Sequence, residues 1–312
     1  MKTAVLFLVF NRPDTTIRVF ETIRQARPPR LYVAADGPRK DRVGENEKCE
    51  ETRSIIKQID WNCEVKTLFR NENLGCGKAV SQAITWFFQQ EEEGIILEDD
   101  VLPHPDFFPY CEELLERYRN IEQVLFISGR NHLYGERASE DSYYFSSVNQ
   151  VWGWASWSRV WKLYDYNLKT IKKRDFYASL NYYYQDIRIV NHRKLLFAQM
   201  KRKMIDTWDY QLTFALMVNR SLCIIPNINL IQNIGIGNEA THTLDGNKMI
   251  EEYKGCSILP LKHPDKVKLN KEGDMLEFAL NQIGVSHYRY IRWHLLYWIR
   301  SFFQKVKFVF GL

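Results

Sequence analysis

The constraint that bears hardest on this chain is a rhythm in its first half. Short runs rich in β-branched and aromatic residues recur at 4–10, 31–35, 65–69, 94–97 and 124–127, with helical patterns between them. Parallel strands cannot be joined by a tight turn and need a crossover of a dozen or more residues, usually a helix, so this alternation predicts a parallel sheet. After Pro13, Asp14-Thr15-Thr16-Ile17 opens a helix whose Ile17, Phe20 and Ile23 share a face, and Pro28-Pro29 ends it. A second crossover is expected over 45–59 and a third over 77–90, where Ala79, Ala83, Ile84 and Phe87 supply the buried stripe. The expected class is α/β, with a mostly parallel central sheet and helices on both faces.

Ligands of such sheets sit beyond the carboxyl ends of the strands, where helix N-termini and loop amides converge. The polar residues that follow the strands are therefore the candidates: Asn11-Arg12, Asp36-Gly37, the segment 71–75 with Asn73, and Glu98-Asp99-Asp100. From 142 to 247 the regularity breaks into an aromatic stretch (151–161), a basic helix (191–204), an acidic pair (Asp206 and Asp209) and a Gly/Asn loop (233–243). No Gly/Ser/Pro linker separates this from the first half, so it is expected to form the other wall of one cleft.

Composition narrows the class further. The chain has 312 residues, 45% of them apolar and 14% aromatic, which is enough to bury a core and excludes a disordered or collagenous polymer. Lys+Arg at 43 against Asp+Glu at 38 gives a net charge of +5, too mild to imply nucleic acid as a partner. Cysteines at 49, 63, 76, 111, 223 and 256 form no ligand or redox spacing, and reduced thiols in a cytosolic compartment are expected. Residues 1–10 carry no cleavage signal and are expected to form a buried first strand, and no apolar stretch reaches the ~18 residues of a membrane span.

The sharpest local signal is Ile95-Ile96-Leu97-Glu98-Asp99-Asp100-Val101, a hydrophobic strand that ends in three consecutive carboxylates. Such a tip repels itself unless a divalent cation neutralises it, and hard oxygen ligands suit magnesium or manganese shared with phosphate. An acidic turn before the helix that begins after Pro105 is the plainer alternative. With Pro103 and Pro105-Asp106-Phe107-Phe108 behind it, Glu98-Asp99-Asp100 resembles the acidic motif of GT-A glycosyltransferases. It is most similar to that of the N-acetylglucosaminyltransferases and their bacterial relatives, in which Glu-Asp-Asp replaces Asp-x-Asp. Phe10-Asn11-Arg12-Pro13 and Asp36-Gly37 resemble that family's nucleotide-contacting loops, and Asn73-Leu74-Gly75 its turn before the third crossover helix. The resemblance runs over roughly residues 3–245, in motif order and spacing.

The resemblance implies a GT-A fold and a metal-dependent, inverting transfer of a sugar from a nucleotide-diphosphate donor to a glycan or lipid-linked acceptor. Asp100 would ligate manganese or magnesium, Glu98 and Asp99 would meet the donor sugar and ribose, Asp36 the base, and Asn11, Arg12 and Asn73 the nucleotide. For Arg12 a surface position near a helix start is the alternative, and for Asp36-Gly37 a plain turn. An inverting transfer also needs a carboxylate to accept the acceptor hydroxyl's proton. Asp206-Thr207-Trp208-Asp209-Tyr210-Gln211 resembles the family's Trp-Asp base motif, with Asp209 as first candidate and Asp206 as second; Tyr210 stands where some relatives carry another acid. Both acids could instead serve only as N-cap and first-turn residues.

Trp152-Gly153-Trp154-Ala155 resembles the segment beside the donor sugar, and Trp154 is a candidate for stacking on a sugar ring or for core packing. The loop Asn233-Ile234-Gly235-Ile236-Gly237 with Thr241-His242-Thr243 resembles one that closes over the donor, where His242 would reach metal or diphosphate; a solvent loop is the alternative. Residues 287–312 hold five cations and nine aromatics, and the helical pattern places Ile291, Leu295, Ile299 and Phe302 opposite Arg289, Arg292, Arg300 and Lys307. This predicts a C-terminal amphipathic helix on an anionic membrane surface, or one docked on protein. The expected organisation is a transferase domain over 1–265, its nucleotide-sugar half 1–130 and its acceptor half 131–265, followed by a basic aromatic segment over 266–312. The expected place is cytoplasmic, on the inner face of a bacterial cytoplasmic membrane, in synthesis of surface polysaccharide or lipopolysaccharide. Two rivals stand beside it. A sugar nucleotidyltransferase would want a Gly-rich basic loop after the first strand, and a non-catalytic carbohydrate-binding protein would not need Asp100 and Asp209 together.

Overall fold

A computed structural model describes residues 1–235 and 257–283. The first strand, β1 (Ala4–Val9), lies between β2 (Arg30–Ala35) and β4 (Glu93–Glu98), which pair with it in parallel, and every one of its residues is buried, so both of its faces are covered. That two-sided burial explains why these strands read as continuous apolar runs and not as alternating ones. The crossovers are α1 (Pro13–Ala26), α2 (Glu45–Ser54), which leads on to β3 (Glu64–Phe69), and α3 (Cys76–Phe88). Pro13 opens α1 without the loss of a hydrogen bond, and Val19, Phe20 and Ile23 carry its buried face.

The eight-stranded sheet runs β3-β2-β1-β4-β8-β6-β9-β7, with β6 (Val124–Ser128), β7 (Tyr143–Ser146), β8 (Trp154–Trp157) and β9 (Leu222–Pro226). The chain winds outward from β1 through β2 to β3 and then returns to the other side of β1 as β4. The direction of winding reverses between β1 and β4, and in an open sheet that crevice is where ligands bind. The sequence predicts the strand at 124–127 as the next parallel neighbour. Instead β8 stands between β4 and β6, antiparallel to both, with Ala155 opposite Ile95 on one side and Ile127 on the other. Its four residues are too few for their alternation to stand out within a tryptophan-rich stretch, and pairing on both edges is what fixes them as a strand.

A short ladder outside the main sheet, β5 (Val101–Pro103) with β10 (Ile231–Asn233), lies beside the acidic tip of β4. Between β5 and β6 runs α4 (Phe107–Tyr118). After the short α5 (Ser158–Trp161), the helices α6 (Lys173–Tyr183), α7 (Ile187–Lys201) and α8 (Asp209–Val218) build a second core, in which Phe176 stacks on Phe197 at 4.5 Å and meets Phe214 edge-on at 4.9 Å. No helix among the described residues is long and apolar enough to cross a membrane. His242 and the segment 287–312 lie outside the described residues.

The last described α-helix, α9 (Lys271–Phe278), packs on β7, so residues beyond 265 pack on the main sheet. Asp274 accepts hydrogen bonds from the hydroxyls of Ser146 and Ser147 and from the Ser147 amide at 3.1 Å. Glu277, 6% exposed, accepts one from Gln150 Nε2. Burial, and then the Asp274 charge, push the Glu277 carboxyl up to about 8 against the opposing pull of Arg193 and Gln150. The native state therefore holds a proton that the unfolded chain releases above the ordinary carboxylate range. This stabilisation is complete below about pH 4.5 and is lost as the pH rises through about 8. Glu277→Gln keeps the group neutral throughout. In urea unfolding it should match the parent near pH 5 and exceed it at pH 9 by on the order of 2–4 kcal/mol; an equal difference at both pH values would count against the assignment.

Candidate functional site

One cavity of about 780 Å³ opens at the crevice between β1 and β4. Asn11, Arg12, Asp36, Asn73, Glu98, Asp99 and Asp100 all line it, so the four polar strand ends converge as the sequence predicts. Hydrogen bonds tie the two central tips together: the Phe10 amide donates to Asp99 Oδ2 at 2.9 Å, and Arg12 Nη1 donates to Asp100 Oδ2 at 2.9 Å. Three acids recessed at one tip disfavour one another's charge. Glu98 is pushed well above the carboxylate range by burial and then by Asp100, Asp99 and Asp209. Asp99 is raised by burial and then by Asp100, while the Phe10 amide and Arg12 oppose the shift. Asp100 is raised by burial, with Arg12 opposing the shift.

Asp36 does more than cap a turn. Its carboxylate accepts the amides of Gly37 at 3.0 Å, Leu74 at 3.0 Å and Gly75 at 3.1 Å, and Asn73 Nδ2 donates to the Gly37 carbonyl at 2.8 Å. These bonds clamp the tip of β2 to the turn before α3. Gly37 is required there, since a Cβ would stand 2.4 Å from the Glu72 backbone. The part of Asp36 left for a ligand is its cavity-facing edge.

The far end of the cavity is cationic, a feature that the sequence pattern does not reveal. Arg39, Arg42, Lys48 and Arg70 line it, and Glu45 accepts hydrogen bonds from both Arg39 and Asn11 Nδ2, the latter at 2.9 Å. These residues sit on an aperiodic loop and early helix turns, where spacing carries no signal. With Arg12 between the two ends, the cavity is acidic at the β4 tip and basic toward α2.

The tryptophan assignment is corrected. Trp154 is 1% exposed and packed in the core, stacked on Phe126 at 4.9 Å and on Trp208 at 5.9 Å, while Trp152 lines the cavity. Gly153 separates them in a left-handed conformation, φ 62°, with no room for a Cβ against Ile231. That reversal sends one ring into the core and leaves the other facing the cavity. Trp157 and Trp161 are also buried.

Of the two candidate bases, Asp206 lines the cavity wall, beside Gly75 and Gly77 at the start of α3, and its Oδ1 meets Tyr166 at 3.5 Å. Asp209, half-buried at the start of α8, accepts a hydrogen bond from Thr207 Oγ1, and its charge reaches Glu98 and Cys76. Cys76, also in the cavity wall, has its thiol raised to about 12 by burial and then by Glu98, Asp206 and Asp209, so it stays protonated at neutral pH.

No group of three His, Cys, Asp or Glu side chains converges on one metal position among the described residues. The donor chemistry nevertheless fits a shared ion. Asp100 offers a hard oxygen in a wall with surplus negative charge, and a magnesium-like cation takes one or two carboxylates and completes its shell from phosphate and water.

Gly235 closes the site. The Ile234 amide donates to the Asp100 carbonyl at 2.8 Å, and a Cβ on Gly235 would stand 2.2 Å from Asp100 Oδ2 and 2.6 Å from Arg12 Nη1. Gly235→Ala should therefore displace the Arg12–Asp100 pair and lower turnover by about 10²-fold, as ångström-scale misplacement does, with an almost unchanged melting temperature. Steady-state rates beside a thermal melt check this.

No family model and no curated protein matches the chain. Among solved structures it is similar to HddC from Yersinia pseudotuberculosis, at 13% identity over 52% of this chain and 80% of that one, with a TM-score of 0.32. It is also similar to an apo UDP-glucose pyrophosphorylase, at 8% identity over 75% and 93% with a TM-score of 0.39. A third is the glycosyltransferase GlyE of Streptococcus pneumoniae, at 10% identity over 72% of this chain and 45% of GlyE, with a TM-score of 0.33.

Proposed function

We infer that this protein is a nucleotide-sugar-dependent glycosyltransferase of the GT-A type, inverting and metal-assisted, acting on a glycan or lipid-linked acceptor in surface polysaccharide or lipopolysaccharide synthesis. The observation that carries the reading is the meeting of four polar strand ends in one cavity at the crevice where the winding of the sheet reverses. The polarity of that cavity suits a nucleoside diphosphate sugar, with phosphates toward Arg12, Arg39 and Arg70 and sugar toward the acids of the β4 tip. Asp100 would hold a manganese or magnesium ion, which when bound supplies positive charge to the departing diphosphate; His242 remains a proposed further ligand.

In the reaction the acceptor oxygen attacks C1 of the sugar from the face opposite the diphosphate. The C1–O bond breaks with its electron pair passing to the β-phosphate oxygen, and the acceptor proton passes to Asp209. Thr207 holds that carboxylate in place, and Asp206 is the alternative base. Arg12 stabilises charge on the leaving group, preset by its pairing with Asp100. Trp152 offers a ring face for the C–H surface of a sugar. The segment 287–312 is proposed to hold the enzyme on the inner face of a bacterial membrane.

Nucleotidyl transfer would demand a backbone cradle for a triphosphate after β1, whereas Phe10-Asn11-Arg12-Pro13 contains no glycine and leads straight into α1. A panel of nucleotide sugars, screened with and without manganese for thermal stabilisation and release of nucleoside diphosphate, tests the reading. One donor should both raise the melting temperature and be cleaved, since a tight ligand stabilises by mass action. Formation of pyrophosphate from a nucleoside triphosphate and a sugar 1-phosphate would replace this reading with nucleotidyl transfer.

A further inference from the structure

We propose that the α6–α7 helix pair presents an anionic-membrane-binding face, separate from the segment 287–312, which seats the cleft mouth on the bilayer. Residues 167–204 contain ten Lys and Arg against two acids, while the rest of the chain holds 33 against 36. The whole positive excess of the protein thus resides in these 38 residues. Both acids are already engaged within the segment, Asp175 by Arg174 at 3.3 Å and Asp186 by Arg188. Among the described residues no carboxylate pairs with Lys169, Lys172, Lys173, Lys194 or the run Lys201-Arg202-Lys203.

Contacts on the surface show that these cations share one side. Lys201 Nζ donates to the Leu168 carbonyl, joining the end of α7 to the loop before α6. The ammonium groups of Lys173 and Lys194 stand over the same Tyr177 ring at 5.3 and 4.8 Å, joining α6 to the middle of α7. Folding does not require this crowding, because the two helices already cohere through the Phe176–Phe197–Phe214 core. Like charges held together without acids are a standing electrostatic cost, which an anionic surface removes. Met204, 64% exposed immediately after the cationic run, adds an apolar tip suited to the headgroup boundary.

The position of the face gives it a purpose. Its two ends lead in sequence toward the cavity wall, Lys203 three residues before Asp206, which lines it, and Lys169 three residues after Tyr166, whose hydroxyl donates to Asp206 Oδ1 at 3.5 Å. A bilayer against this face would lie beside the Asp206 side of the cleft.

The test is co-sedimentation of the full chain with phosphatidylcholine vesicles containing about one third phosphatidylglycerol, compared with phosphatidylcholine alone. A polybasic surface gains about a fivefold factor in partition per neutralised cation. The triple variant Lys169→Gln, Lys172→Gln, Lys173→Gln should therefore lose about 10²-fold in partition, with its melting temperature and nucleotide-sugar cleavage in solution retained. Partition equal to the parent's, or a parent that does not prefer the anionic vesicles, overturns the proposal. Glycerophosphoglycerol, the headgroup without its acyl chains, should fail to displace the protein at matched phosphate. Displacement would assign the face to a soluble phosphorylated glycan and would equally overturn it. These outcomes are distinct from failure of the transferase reading, which appears as absent cleavage in the parent itself.

Discussion

Asp100→Asn should be nearly inactive while losing no stability. Asparagine keeps the shape of the side chain and its bond to Arg12, but removes the charge that, after burial, holds the Glu98 and Asp99 carboxyls above their ordinary range. In a protein with no ligand bound, relief of that repulsion should leave the melting temperature unchanged or raise it. Turnover depends on the opposite quantity, the capacity of the tip to hold positive charge against a departing diphosphate. Loss of one such preorganised electrostatic element typically costs about 10²–10³-fold in kcat, and stimulation by manganese should vanish with it. The two readouts separate in this way only if the acidic tip is built for a ligand at the expense of the fold. An unchanged rate, or parallel loss of rate and stability, would return Glu98-Asp99-Asp100 to the status of a structural turn.

The legible parts of this fold are those with a long physical period. The strands β1, β2 and β4 announce themselves because both faces are buried, while β3 stands at the sheet edge with no buried residue; the tips announce themselves because polarity begins where burial stops. For that reason Asn11, Arg12, Asp36, Asn73 and the three acids group together on sequence alone. The illegible parts depend on single backbone choices or on distant partners. Nothing in Trp152-Gly153-Trp154 says which indole faces the cavity; the answer lies in one left-handed glycine pressed against Ile231. The strand at Trp154–Trp157 needs β4 and β6 on either side to exist at all. Asp274 and Glu277 look like ordinary surface acids on a short helix, and only packing on Ser146, Ser147 and Gln150 makes them interior. The sequence presents Asp36 as a ligand contact, whereas most of its hydrogen-bonding capacity goes to the amides of the neighbouring turn.

Asp209→Asn should bind donor as the parent does and transfer almost nothing. The two acids of 206–211 divide by what surrounds them. Asp206 is exposed on the cavity wall, its carboxylate oxygens beside Gly75 and Gly77 and one of them met by the Tyr166 hydroxyl at 3.5 Å. Asp209 is half-buried, fixed by the Thr207 hydroxyl, and carried on a helix start whose preceding Trp208 is stacked against Trp154. A general base must be held on the line of proton transfer, and that fixed geometry favours Asp209. Asparagine cannot take the acceptor proton, so loss of the base should cost about 10²–10⁴-fold in transfer, with donor Kd unchanged because the nucleotide end of the cavity is untouched. Asp206→Asn, measured beside it, should fall far less. The reverse order would hand the proton to Asp206 and recast Asp209 as the acid that opens α8. Cleavage of the donor by water offers a further check. Water needs no precisely held base to reach C1, so Asp209→Asn should depress transfer to an acceptor more than it depresses hydrolysis, whereas a collapsed donor site would depress both alike.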